Sequence, residues 1–364
     1  MGKQRGISYG TSKMNFVFKY EDSQNFEKLW NQYLTSYNVD FQYSLTSIEY
    51  YLAYCNNLYK DKSFILEVDN HCVGICFLPI ESTKDGFSIS IATGYSMAPL
   101  AKSLKYEQII FDCIDKICAD LNIVIVKFKV SIFENLNFNR LRLYRFLDTT
   151  NTTCILDLNN SQEDLWMNLR KRYKSLINSL TKNGEYSIVC SNESTLNELH
   201  KYYVTFHKIH MKNAGKSLKS NLIYTKQLNL AKQNLATIIA VNFQNHPIII
   251  NYFFHDTTNV VYASNAYDTH ESFKNLPLNH YLLWHSTLYF KQRGFKKFGF
   301  GQPCSLNSIN GFMDYADEKE LSISHFKRGM GTQMISHMQG IKFLKKEPLL
   351  QLIDQFKSEV TNGL

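Results

Sequence analysis

The chain has 364 residues, enough for roughly two domains of ~150 residues, each with a core of its own. Aromatic residues make up 14% of it and proline only 6 positions, which excludes a disordered or collagen-like chain and points to dense cores and well-filled clefts. Lys and Arg number 40 against 32 Asp and Glu, and the resulting charge of +8 favours anionic partners: nucleotides, tRNA, phospho-sugar carriers or an acidic membrane face.

The eight cysteines, at 55, 72, 76, 113, 118, 154, 190 and 304, include no CxxC pair, so they read as scattered reduced thiols rather than a zinc or disulfide framework. No run reaches the ~18 apolar residues of a membrane span. Residues 1–13 lack the apolar core of a secretory signal and read as a flexible leader.

Alternation from Met14 to Tyr20 predicts a strand, and the pattern from Phe26 to Tyr37 a helix. Ser63 to Val68 and Cys72 to Pro79 flank Asp69-Asn70-His71, which predicts a hairpin. Ile109, Ile110, Cys113, Ile117 and Leu121 stripe a helix over 106–121, followed by a β-branched strand, Ile123 to Val130, and another apolar run at 153–158. The second half repeats this order. Ala236 to Phe243 and Pro247 to Phe254 flank Gln244-Asn245-His246, a helix follows from Leu278 to about Gln292, and a strand from Phe295 to Phe300. Counted from the turn histidine, the helix starts 35 residues on in the first half and 32 in the second, and the next strand 52 and 49 residues on. Those offsets predict two copies of one α/β unit, spanning 14–155 and 156–340, with a helical tail at 341–364.

Between the halves, Ser161 and Asp164 form a capping-box signature that opens one long helix. Leu165, Leu169, Tyr173, Leu176 and Leu180 share its apolar face; Arg170, Lys171, Lys174 and Lys182 lie away from it, with Arg172 at the margin. This basic side is either a solvated face or a phosphate-binding one. Gly294-Phe-Lys-Lys-Phe-Gly-Phe-Gly301 is a strand ending in glycine, which permits close approach of a ligand or a second backbone, and it runs into a polar loop from Gln302 to Asn310. Ile323 to Gly331 reads as a basic turn after a strand, or as a lysine placed to stabilise a tetrahedral intermediate. Neither the GxGxxG nor the P-loop template fits. Histidines 200, 207, 210, 280 and 285 lack the supporting ligands of a metal site, and Cys304 has no identifiable base, so no metal and no thiol nucleophile is expected.

The run from Leu165 to Gly184 resembles the helix that opens the second domain of Fem-type aminoacyltransferases and related tandem-GNAT acyltransferases. Pro277 to Trp284, the strand ending at Gly301, Gly311-Phe312 and His325-Phe326-Lys327-Arg328-Gly-Met-Gly331 match later elements of that family in order. The resemblance covers about 150–335. It implies mixed α/β sheets in two tandem GNAT-like domains sharing a cleft, and transfer of an acyl or aminoacyl group from acyl-CoA or aminoacyl-tRNA to an amine of a nucleotide- or lipid-linked cell-envelope precursor. Lys327 takes the family's catalytic lysine position, and Phe326 the phenylalanine beside it. Arg170, Arg172, Lys174, Trp284 and Gln302 are substrate-binding candidates, and Lys212 in Lys212-Asn-Ala-Gly215 is a loose counterpart of the family's basic residue. Phe41-Gln42-Tyr43-Ser44 has no match to the family's first-domain lysine, which shifts weight toward a second reading, an amino-sugar N-acyltransferase of surface-polysaccharide synthesis. A third, of another class, is a catalytically silent module that binds tRNA or anionic glycan. No permanently bound cofactor and no DNA partner are expected, and the expected station is the cytoplasm, including the inner face of the membrane.

Overall fold

The computed structural model describes residues 13–37, 39–134, 136–193, 195–214, 220–301 and 318–362. Strand β1 (Met14–Phe18) leads to helix α1 (Ser23–Ser36), whose cap Asp22 accepts a hydrogen bond from the Asn25 amide at 3.0 Å. A 3-10 turn, Phe41–Tyr43, runs into α2 (Leu45–Tyr54), capped by Ser44. Seven short strands follow: β2 (Leu58–Asp61), β3 (Phe64–Val68), β4 (His71–Cys76), β5 (Pro79–Thr83), β6 (Gly86–Ile89), β7 (Ser96–Met97) and β8 (Leu100–Ala101). The amphipathic α3 (Leu104–Asp120), β9 (Ile123–Lys129) and β10 (Leu147–Asp148) come next. The chain continues through β11 (Asn151–Asp157), α4 (Gln162–Asn168), α5 (Lys171–Asn183), β12 (Tyr186–Cys190), α6 (Leu196–Ala214) and α7 (Asn221–Lys232). Strands β13 (Ala236–Phe243), β14 (His246–His255) and β15 (Asn259–Tyr267) precede α8 (Leu278–Gln292) and β16 (Lys297–Gly301). Helix α9 (Glu318–Gly329), β17 (Gln333–His337), β18 (Gln339–Phe343) and α10 (Lys346–Asn362) complete the described chain.

The two predicted hairpins are present with the same turn. Asp69 and Asn70 have φ of 51° and 63°, and Gln244 and Asn245 have 48° and 62°. Two successive residues at positive φ make the twist-matched two-residue turn, and Asn tolerates that conformation better than most residues. In the first half the hairpin lies in a four-stranded sheet ordered β1-β3-β4-β8, apart from the larger sheet β10-β18-β9-β6-β5-β2; α3 packs against β4, β8 and β9 and so spans both. In the second half a single seven-stranded sheet, β12-β13-β14-β15-β16-β11-β17, holds the hairpin and the strand after the helix together.

Three expectations differ from the structure. The helix after Ser161 is broken: Leu169 and Arg170 take extended backbone, with ψ of 140° and 136°, and these two residues separate the end of α4 from the start of α5. Ile177, at 1% exposure, fills the buried stripe where Leu176 was expected. The segment expected as a basic turn, Ile323 to Gly331, is largely the last turns of helix α9. Strand β11, which spans residue 155, pairs with β16 and β17 in the second sheet, whereas β18, which spans residue 340, pairs with β9 and β10 in the first.

Phe41 and Tyr50 of the first half are buried in the same cluster as Leu199, Phe206, Tyr224 and Tyr252 of the second, and the rings of Phe41 and Phe254 stack with centroids 5.3 Å apart. The halves therefore meet through shared apolar packing. No described helix is long and apolar enough to cross a membrane.

Candidate active site

Where β15 and β16 run parallel they pair over only three residues each, from Asn259↔Lys297 to Val261↔Gly299, and then part. The gap opens toward the first half. At Gly299 a Cβ would stand 2.9 Å from Ile132 Cδ1, so the glycine lets a side chain of the first half press onto this strand. Gly301, at φ +76°, ends the strand beside a cavity of about 450 Å³ lined from both halves. That volume is within the ~300–1,000 Å³ typical of small-molecule sites. Phe41, Tyr51, Tyr95 and Phe254 supply aromatic wall, and Gln42, Lys129, Thr153, His337 and Gln339 supply polar groups.

Lys327, in the last turn of α9, reaches this place: its Nζ is 3.5 Å from where a Cβ on Gly301 would sit. Several contacts fix the helix that carries it. The Arg170 amide donates to the Gly329 carbonyl at 3.0 Å, and the Arg170 guanidinium donates to the His325 carbonyl at 3.2 Å. A Cβ on Gly329 would lie 2.4 Å from the Tyr173 ring, so glycine is what allows the two helix ends to close. The Phe326 ring packs edge-on against His280 at 4.9 Å and tilted against Tyr173 at 6.1 Å. Burial, assisted by the Arg172 charge, pushes His280 down to about 4, which keeps the imidazole of this packing neutral.

Of the other candidates, Lys174 donates to the Met167 carbonyl at 2.9 Å across the helix break, and Arg172 is exposed. Trp284 is buried at 7% and tilts against Trp166 at 4.9 Å, in the second core. Lys212 is exposed near the end of α6, away from the lining of the cavity, and Gln302 lies outside the described residues, as do Gly311-Phe312 and Cys304. The structure thus brings Arg170, Phe326 and Lys327 into one assembly, seats Trp284 in the apolar cluster that Phe326 packs against, and leaves Lys212 exposed on α6.

Sequence reasoning missed Lys129, His337, Gln339 and Tyr95. They come from strand ends remote in sequence, and the pairings of β18 and β7 with β9 and of β17 with β11 bring them together. Burial and the neighbouring Lys129 ammonium push His337 down to about 3. Burial also lowers Lys129, against the pull of Asp40. The two largest hollows described offer less chemistry. One of about 700 Å³ beside α3 has its Lys342 paired to Asp115, and one of about 570 Å³ has His255 bound to Thr237 and Arg293 bound to Glu193. Among the described residues no cluster of three or more His, Cys, Asp or Glu is placed to hold a metal.

No protein-family model matches the sequence, and no curated protein matches it in sequence. Solved structures do match the fold. FemX aligns over 90% of this chain and 98% of its own with a TM-score of 0.61 at 12% identity. The C-terminal domain of a protein assigned as a lysylphosphatidylglycerol synthetase, from Agrobacterium fabrum, aligns over 93% and 96%, with a TM-score of 0.54 at 7% identity. L-PGS from Bacillus licheniformis aligns over 90% and 96%, with a TM-score of 0.54 at 11% identity. The chain shares the mixed α/β fold of FemX and of the other two structures over nine tenths of its length.

Proposed function

We propose that this chain transfers an activated acyl or aminoacyl group, from acyl-CoA or aminoacyl-tRNA, to the amine of a cell-envelope precursor held in the cleft between its halves. The observation that carries this reading is the Lys327 ammonium standing over Gly301 at the edge of a cavity that both halves line. The neutral amine attacks the donor carbonyl carbon. A C–N bond forms, the C–O or C–S bond to the carrier breaks, and the proton lost by the amine ends on the departing oxygen or sulfur. Lys327 stabilises the oxyanion between these events, and the cavity holds the two reactants in line. No cysteine nucleophile is required. Phe326, packed on His280 and Tyr173, steadies the helix that presents Lys327.

The aromatic walls formed by Phe41, Tyr51, Tyr95 and Phe254 favour a ring-bearing acceptor, which supports the amino-sugar reading as the second choice. Full-length protein incubated with charged tRNA or acyl-CoA and a panel of amino sugars and muramyl peptides tests both. Turnover with a sugar amine selects the second reading and turnover with a peptide amine the first. No turnover with either donor returns the chain to a binding module.

A further inference from the structure

Half-buried lysines in this protein are satisfied almost everywhere. Lys127 donates to Thr93 O, Lys291 to Leu158 O and Asn160 O, Lys297 to Phe133 O, and Lys19 and Lys342 pair with Asp61 and Asp115. Lys129 differs: it ends β9 inside the cleft, and among the described residues its ammonium makes no hydrogen bond, ion pair or ring contact. The carboxylate that attracts it, Asp40, is already committed, accepting from the Gln42 amide N–H and side-chain Nε2 at 3.1 Å each and from Ser131 Oγ. No Asp or Glu lines the cavity among the described residues, and His337 beside Lys129 is neutral. A half-buried cation without a hydrogen-bonding partner is costly in an empty protein, and a ligand that brings the opposite charge offsets that cost.

We propose that Lys129 is the anchor of an anion-binding subsite, and that the acyl acceptor carries a phosphate or carboxylate which this ammonium holds while its amine reaches the carbonyl beside Lys327. Naming the ligand as the acceptor rests on the acyl-transfer reading of the cleft; the anion site itself does not. Lys129 is a positioning residue: the anion sets where the acceptor lies along the cavity, and the aromatic walls take its hydrocarbon or ring portion.

The test is a thermal-shift titration of the full chain with inorganic pyrophosphate and, separately, with glutarate, on the wild type, Lys129→Met and a control, Lys116→Gln, exposed on α3. One of the two anions should raise the wild-type and Lys116→Gln melting temperatures in a salt-dependent way, and the responding anion tells phosphate from carboxylate. Lys129→Met should melt at least as high as wild type without anion, because an unpaired cation has been removed, and should lose the upshift, binding weakened roughly tenfold or more. An equal upshift in Lys129→Met, or no response to either anion in the wild type, overturns the proposal. A retained anion response without acyl transfer to any amine instead overturns the acyl-transfer reading and leaves the subsite standing.

Discussion

At the residue scale, two ammonium groups stand near one cavity, Lys129 in its lining and Lys327 beside Gly301 at its edge. If Lys327 acts as proposed, on charge that exists only during reaction, Lys327→Ala should lower turnover by roughly 10²–10³ with donor affinity nearly unchanged. Lys327→Arg should fall well short of wild type, since a planar fork does not replace a compact point charge. Steady-state kinetics on folded protein check both, and a variant that melts early yet turns over normally at low temperature would make the lysine merely structural. The imidazoles nearby carry a stability signature. His337 and His280 are pushed down to about 3 and about 4 from an unfolded value of 6.5, so the unfolded chain binds more protons between those limits. Stability therefore rises with pH across that window and falls as pH drops from 6.5 toward 4. The double variant His280→Gln/His337→Gln should flatten the acid side of the urea-midpoint profile; an unaltered slope would place the acid sensitivity elsewhere.

At the element scale, the break between α4 and α5 changes what the basic residues do. Arg170 is the N-cap residue of α5 and spends its hydrogen bonds on the end of α9, while Lys174 reaches back to α4. Arg170→Ala should thus lower the melting temperature and turnover together. Gly329→Ala should do the same by a different route. Its Cβ would meet the Tyr173 ring at 2.4 Å, a clash of the kind that costs ~1–3 kcal/mol, and relief of it would push away the helix end that carries Lys327. Combining it with Tyr173→Leu should restore part of both, and a strictly additive double variant would show that the two residues do not meet. The sequence carried the apolar stripe and the Ser161 cap clearly, because periodicity and capping are local. It hid the break, since Leu169 and Arg170 are ordinary helix formers whose extended backbone is imposed by the docking of α9. The hairpin turns were legible for the converse reason: Asp69-Asn70 and Gln244-Asn245 encode their own geometry. Lys129 was not legible, because a lysine closing a β-branched run looks like any solvated strand end until β18 is laid beside it.

At the scale of the whole molecule, the chain crosses between its halves at both ends of the second one. β11 leaves the first half to enter the second sheet, and β18 returns to sit between β10 and β9 of the first. The return is specific. Gln339 O accepts from Asn139 Nδ2 at 2.7 Å and from the Thr149 amide at 3.1 Å, and a Cβ on Gly340 would stand 2.9 Å from Phe146 Cβ. Removing β18 would turn the inner strand β9 into an open edge, leave β10 without a partner strand, orphan Asn139, and unroof Leu141 and Phe146, all in the first half and far from the cut in sequence. A chain ending at residue 338 should therefore lose amide-exchange protection in β9 and its neighbours β6 and β10, while β13 and β14 keep theirs. A chain ending at residue 345, which lacks only α10, should retain protection in β9, because every ladder bond of β18 is still made. The intact protein, stitched in this way, should unfold in one calorimetric transition rather than two. If the chain ending at 338 melted like wild type with β9 still protected, β18 would be an accessory to the first sheet rather than its completing strand, and the Lys129 side of the cleft would have to be held by some other contact.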